Sequence, residues 1–291
     1  VVYGAAQTRI ELIAEEEGLM EELARAMERF KSVQGARRPG GFEGERVSAP
    51  SPIVYHKTRQ IECHDAVLRR HRVVAAYERG PYVESYQFLR TQVLHRLRER
   101  QWNVVGVTSP RPQEGKSLTA LNLAAIMAME ATQTVLAIDA DLRSPSLHRL
   151  LGLDDVRGLS DYLLEDVPLE ELLIHPGLGR LVVLPGGRPI LRSAEALTSP
   201  SMTALMAEVK HRYPSRVVIV DLPPILDRAD VHAFAPALDA LLVVVDEGRT
   251  RRAELREAIE VAGRAIPLLG TVLNRVGRDM RDLKRWRALA G

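Results

Sequence analysis

Six short runs, almost wholly apolar and largely β-branched, punctuate the chain from position 104 onward: 104–107, 135–138, 181–184, 217–220, 241–245 and 271–273. A strand with one wet face alternates apolar and polar residues, so an unbroken apolar run needs cover on both faces. Between these runs lie helical patterns such as Thr119 to Ala131 and Met202 to His211. Strand and helix in alternation predict an α/β fold with a mostly parallel, doubly wound sheet. Ligand chemistry in such a fold belongs at the carboxyl ends of the strands. No internal repeat argues for a solenoid.

The polar residues that follow the runs bear this out in type and order. The first run leads into Thr108-Ser109-Pro110-Arg111-Pro112-Gln113-Glu114-Gly115-Lys116-Ser117 and then a helical pattern from Leu118. Strand, loop, Gly-Lys-Ser and helix is the phosphate-loop order. Backbone N–H groups at a helix start surround an anion, a lysine reaches the outer phosphates, and a hydroxyl holds magnesium. Lys116 and Ser117 are placed for the last two tasks. Pro110 stands at the usual leading glycine, and Gln113 at a spot often held by glycine. A positive φ at Gln113 costs on the order of 1 kcal/mol relative to glycine.

The second run ends in Asp139-Ala140-Asp141-Leu142-Arg143 and the fourth in Asp221-Leu222-Pro223-Pro224. Carboxylates at strand ends facing phosphates can ligate magnesium directly or through water, or accept a proton. Asp221 is of the type expected to orient magnesium in phosphoryl transfer. Three such elements in this order make a P-loop NTPase the reading, with ATP and magnesium as its ligands.

Upstream, apolar residues from Ile10 to Val33 recur at helical spacing, and the following stretch is rich in Gly, Pro and charge. The expected organisation is an amphipathic helix over 1–34, a linker over 35–52, a connecting segment over 53–80 and the nucleotide domain over 81–291. Forty Lys and Arg against 38 Asp and Glu give a net charge of +2, too small to argue for nucleic acid. The single cysteine, Cys63, excludes an internal disulfide framework and fits a reducing compartment. No apolar stretch approaches the roughly 20 residues that span a bilayer, so a cytoplasmic protein is expected. His56, His64, His71 and His95 have no metal-site spacing, and Trp102 reads as structural.

From about Pro81 to Val276 the sequence resembles the bacterial tyrosine kinases of the Wzc, CapB and CpsD type, relatives of the MinD and ParA partitioning ATPases. Ser109 to Ser117 looks like that family's Walker A segment, Val135 to Arg143 like its Asp-x-Asp-x-Arg motif, and Val217 to Pro224 like its Walker B. Further likenesses are Ser144 to His148, Ala194 to Met202, Gly248 to Arg252 and Leu269 to Arg275. Partitioning ATPases carry a signature lysine early in the phosphate loop, where this chain has Arg111. Tyr55 to Arg59 and Leu68 to Val74 are similar to kinases of exosortase-type exopolysaccharide loci.

The resemblance implies a MinD/ParA-like fold with an N-terminal helical extension, and transfer of the ATP γ-phosphate to tyrosine in control of exopolysaccharide synthesis or export. It implies that Gln113, Glu114, Gly115, Lys116, Ser117, Leu118, Arg143 and Asn274 hold the nucleotide, Arg143 also orienting the Asp pair and Asn274 lying near adenine. By type, Asn274 also suits a turn or cap. Lys116, Asp139, Asp141 and Asp221 would be catalytic, Asp139 as candidate base or metal-water ligand with Asp141 beside it, and Ser117, Asp139 and Asp221 would lie at magnesium. A membrane polysaccharide co-polymerase as partner, a place at the inner face of the membrane through it, and a homo-oligomer are implied as well. Two departures stand out. No tyrosine follows Tyr213, which excludes the family's carboxyl-terminal autophosphorylation, and its oligomerisation element appears as Glu84-x-x-Gln87-x-x-Arg90. A MinD/ParA-like switch, or a scaffold without chemistry, is the alternative.

Overall fold

The computed structural model describes residues 58–275, apart from Glu78, Ala131 and 213–215, together with Leu12–Ile13. Its strands are β1 (Leu12–Ile13), β2 (Arg59–Gln60), β3 (Val104–Thr108), β4 (Thr134–Asp139), β5 (Ile174–His175), β6 (Leu181–Leu184), β7 (Arg216–Asp221), β8 (Ala240–Asp246) and β9 (Leu268–Asn274). All lie in one sheet, in the order β1-β9-β8-β3-β7-β4-β6-β5-β2. The six apolar runs are the six central strands, and every pairing among them is parallel.

Successive side chains of a strand point to opposite faces, which explains why the runs are apolar without interruption. Val105, Val107, Val135, Ala137, Val217 and Ile219 belong to one buried cluster, while Val104, Leu136, Ile138, Val218 and Val220 belong to the other. The longer helices divide between these faces. Helices α1 (Pro81–Arg100) and α2 (Lys116–Ala128) cover the first; α3 (Pro200–Arg212) and α4 (Arg252–Gly263) cover the second. Burying each such side chain stabilises the fold by roughly 1.5–3 kcal/mol.

Helix α2 is buried on nearly every side, as a helix wedged between a sheet and a second helical layer must be. Its one buried asparagine, Asn122, ties that layer down. Asn122 Oδ1 accepts from the Val74 N–H at 2.8 Å, and Nδ2 donates to Arg72 O at 3.1 Å and the Tyr82 hydroxyl at 2.8 Å. Leu68, Val73 and Val74 are buried in the same core.

The helix expected over 10–33 lies outside the described residues except at Leu12–Ile13, where the structure has a strand antiparallel to β9. An edge strand leaves backbone donors and acceptors unpaired, and pairing along β9 overrides the helical spacing at these two residues. Arg90, the last residue of the expected oligomerisation element, forms an ion pair with Glu130 at 3.1 Å inside the chain. Among the described residues no helix is long and apolar enough to cross a membrane.

Candidate nucleotide-binding site

The loop between β3 and α2 is rooted in the segment that follows β7. Thr108 Oγ1 donates to Pro223 O at 2.6 Å, and Ile225 N–H donates to Ser109 O at 2.9 Å. Two residues of the loop are left-handed: Gln113 at φ +65° and Gly115 at φ +96°. The strain expected at Gln113, of order 1 kcal/mol, is therefore present. At Gly115 the conformation and the space agree, because a Cβ there would lie 2.1 Å from Asn274 Nδ2. Helix α2 then opens with Lys116 and Ser117, directing its free N–H groups and positive dipole end at the loop.

The strand order brings the carboxylates together. β7 lies between β3 and β4, and its register with β4 sets Asp139 directly beside Asp221. Lys116 reaches over the pair: its Nζ lies 2.7 Å from Asp141 Oδ2, 3.4 Å from Asp221 Oδ1 and 3.1 Å from Ser117 Oγ. Burial works against the ammonium, but the charges of Asp221 and Asp141 outweigh it and hold the Lys116 pKa above its ordinary value. Asp139 is fully buried; one oxygen accepts from the N–H groups of Ser146 at 2.7 Å and Leu147 at 2.9 Å. Its other oxygen, and Asp221 Oδ2, have no hydrogen-bond partner.

Desolvation, with the neighbouring Asp221 charge, pushes Asp139 up to about 7. Desolvation also raises Asp221, to about 6, against the pull of Lys116. The two unpaired carboxylate oxygens of Asp139 and Asp221, which sit side by side at the ends of β4 and β7, together with the Ser117 hydroxyl that neighbours Asp221, make a hard, oxygen-only donor set. Magnesium favours that chemistry, since it takes one or two carboxylates and completes its shell with water and phosphate. The residues present therefore fit the ion.

A cavity of about 690 Å³ opens above this floor, lined among others by Gln113, Gly115, Lys116, Ser117, Leu118, Asp141 and Arg143. That is the size of an ordinary small-molecule site. Asp141 faces the cavity, whereas Asp139 and Asp221 lie beneath it. The orienting role expected of Arg143 is not what its bond shows: Nε donates to Ser193 Oγ at 2.8 Å rather than to either aspartate. Asn274 likewise faces the loop, donating to Glu114 O at 2.9 Å and accepting from the Arg275 N–H at 2.9 Å. Glu114 is buried, and its pKa is raised by desolvation. Its carboxylate accepts from the Arg111 N–H at 2.8 Å and from the Thr250 hydroxyl.

Thr250, Asp227 and Glu254 are further partners of this loop. Their residue types carry no signal of it, although Thr250 lies within Gly248 to Arg252, one of the stretches that resemble the kinases. Arg149 and Arg228 also line the cavity.

A buried lysine at a helix start, a left-handed loop and strand-end carboxylates define a P-loop nucleotide-binding protein. The model for the CobQ/CobB/MinD/ParA nucleotide binding domain matches residues 105–288, and the chain belongs to that family. Within it, the chain belongs with the bacterial tyrosine-protein kinases. It is 35% identical over 192 residues to tyrosine-protein kinase YwqD of Bacillus subtilis, spanning 66% of this chain and 80% of that protein. Its likeness to the succinoglycan biosynthesis transport protein ExoP of Rhizobium meliloti is 28% over 274 residues, covering 88% of this chain but 34% of that one. Among solved structures, the kinase domain of Escherichia coli tyrosine kinase ETK superposes with a TM-score of 0.64 at 29% identity, covering 69% of this chain and 78% of that domain.

Proposed function

We propose that this chain transfers the γ-phosphoryl group of ATP to tyrosine and serves exopolysaccharide synthesis or export with a membrane polysaccharide co-polymerase as partner. The observation that carries the reading is the buried cluster of Asp139, Asp141 and Asp221 around Lys116, at a phosphate loop in a chain of the tyrosine-kinase group. A phosphate loop alone serves many reactions; a cavity-facing carboxylate over a buried pair suits proton removal from an acceptor hydroxyl.

In this reading the N–H groups at the start of α2 cradle the phosphates, and the Lys116 ammonium neutralises charge on the outer two. Asp139 and Asp221, with the Ser117 hydroxyl, hold magnesium directly or through water. The bound ion supplies positive charge at the phosphates. Asp141 accepts the tyrosine proton as the phenol oxygen bonds to the γ-phosphorus and the bond to the β-phosphate oxygen breaks, releasing ADP. A phenol with a pKa near 10 needs such a base. A place at the inner face of the membrane through the partner, and a homo-oligomer, complete the proposal.

A nucleotide switch of the partitioning type is the second reading, favoured by the lack of any tyrosine over residues 214–291. Incubation with labelled ATP and magnesium, with and without a membrane partner, followed by phosphotyrosine mapping, separates the two. Hydrolysis without phosphotyrosine in either condition would leave the switch.

A further inference from the structure

Arg111 occupies the place of the partitioning ATPases' signature lysine, yet its guanidinium does not line the cavity. Nη1 donates to Asp227 Oδ1 at 2.8 Å, in the loop after β7, and Nε donates to Glu254 Oε1 at 3.2 Å, in the first turn of α4. The Arg111 backbone N–H is held by Glu114, whose other carboxylate oxygen takes the Thr250 hydroxyl from the loop after β8. The Glu114 carbonyl is held by Asn274 at the end of β9. The phosphate loop is therefore tied to the exits of β7, β8 and β9.

We infer that Arg111 and Glu114 are positioning residues, a clamp that holds the phosphate loop in its left-handed, nucleotide-ready shape before nucleotide arrives. Their need follows from Gln113. A non-glycine residue at φ +65° persists only where its surroundings over-determine it, and this loop has no glycine between Ser109 and Glu114 to relax elsewhere. Fixing the loop in advance raises the fraction of protein competent to bind, and apparent affinity scales with that fraction. Arg111 is exposed and its two ion pairs are open to solvent, so this part of the clamp weakens as salt screens it. The Glu114 to Thr250 bond is partly buried and is much less sensitive to salt.

The inference rests on the reading of the cavity as a nucleotide site, but its first test needs no nucleotide. In the nucleotide-free protein, hydrogen exchange of the amides from Gln113 to Ser117 should quicken about tenfold in Arg111→Met. Arg111→Lys, which can reach one carboxylate rather than two, should fall between. Unchanged exchange in Arg111→Met would overturn the clamp. With ATP and magnesium, Arg111→Met and Thr250→Val should each raise KM and Kd about tenfold while kcat stays within about twofold, because bound nucleotide re-forms the loop. Raising salt should bring the wild-type KM toward that of Arg111→Met and leave Arg111→Met itself little changed. A fall in kcat of tenfold or more at constant KM would instead place the guanidinium on the transferring phosphate and refute the inference. Failure of the kinase reading would show separately, as absent phosphotyrosine with the exchange result intact.

Discussion

Replacing Asp139 by Asn should stabilise the nucleotide-free protein while abolishing its chemistry. Asp139 is fully buried, and desolvation with the Asp221 charge holds its carboxyl near 7 rather than 3.8. A folded-state pKa above the unfolded value means that the folded protein binds the proton more tightly. Stability from this group is therefore greatest at low pH and is lost as pH rises from about 4 to about 7. At pH 8 the ionised form disfavours folding by up to about 4 kcal/mol. Because Asp139 and Asp221 titrate together, only part of that belongs to Asp139 alone. Asparagine keeps a carbonyl oxygen for the Ser146 and Leu147 N–H groups and carries no charge. Urea melts in EDTA should show Asp139→Asn more stable than wild type by about 2 kcal/mol at pH 8 and by less than about 1 kcal/mol at pH 5. A difference independent of pH, or a destabilised variant at pH 8, would refute the assignment of strain to this carboxylate.

Lys116→Met should lower turnover by at least about 100-fold. It should also cost about 3 kcal/mol of stability at pH 8, read by urea melts, because it leaves Asp141 and Asp221 buried without their cation. Asp141→Asn should cut phosphotransfer by about 10² to 10⁴ while calorimetric ATP affinity moves less than about threefold. A parallel loss of both would make Asp141 a binding group. Deleting residues 278–291, which lie outside the described residues and hold no tyrosine, should leave phosphotransfer to a partner unchanged by phosphotyrosine blotting.

The six central strands were legible because burial on both faces writes itself into consecutive residues, as at Val217 to Val220. The phosphate loop was legible for a similar reason: its strand, turn and helix are contiguous. The pairing of Asp139 with Asp221 was not, since it depends on β7 inserting between β3 and β4, a choice no local pattern records. The two-residue strands β1, β2 and β5 carry too few residues to show a period, and exist because neighbouring edges need partners. Glu114 and Thr250 meet across 136 positions, and neither residue type announces it. Arg143 and Asn274 were placed by likeness, and their hydrogen bonds run to Ser193 and to the loop backbone instead.

These particulars share one electrostatic logic. The floor of the cavity gathers three carboxylates about one ammonium, with two oxygens left unpaired. Such a set is costly to bury on its own, and neutral side chains of the same volume would fold more easily. The cost is removed when a cation and phosphates occupy the site, so binding returns what folding gave up and the ligand stabilises the native state by mass action. The loop shows the same trade in backbone form: Gln113 is strained, and the ties behind Arg111 and Glu114 hold the strain in place. Stability is thus surrendered at the cavity floor and along the loop, while the apolar runs of the sheet, buried on both faces, supply the excess that makes this tolerable.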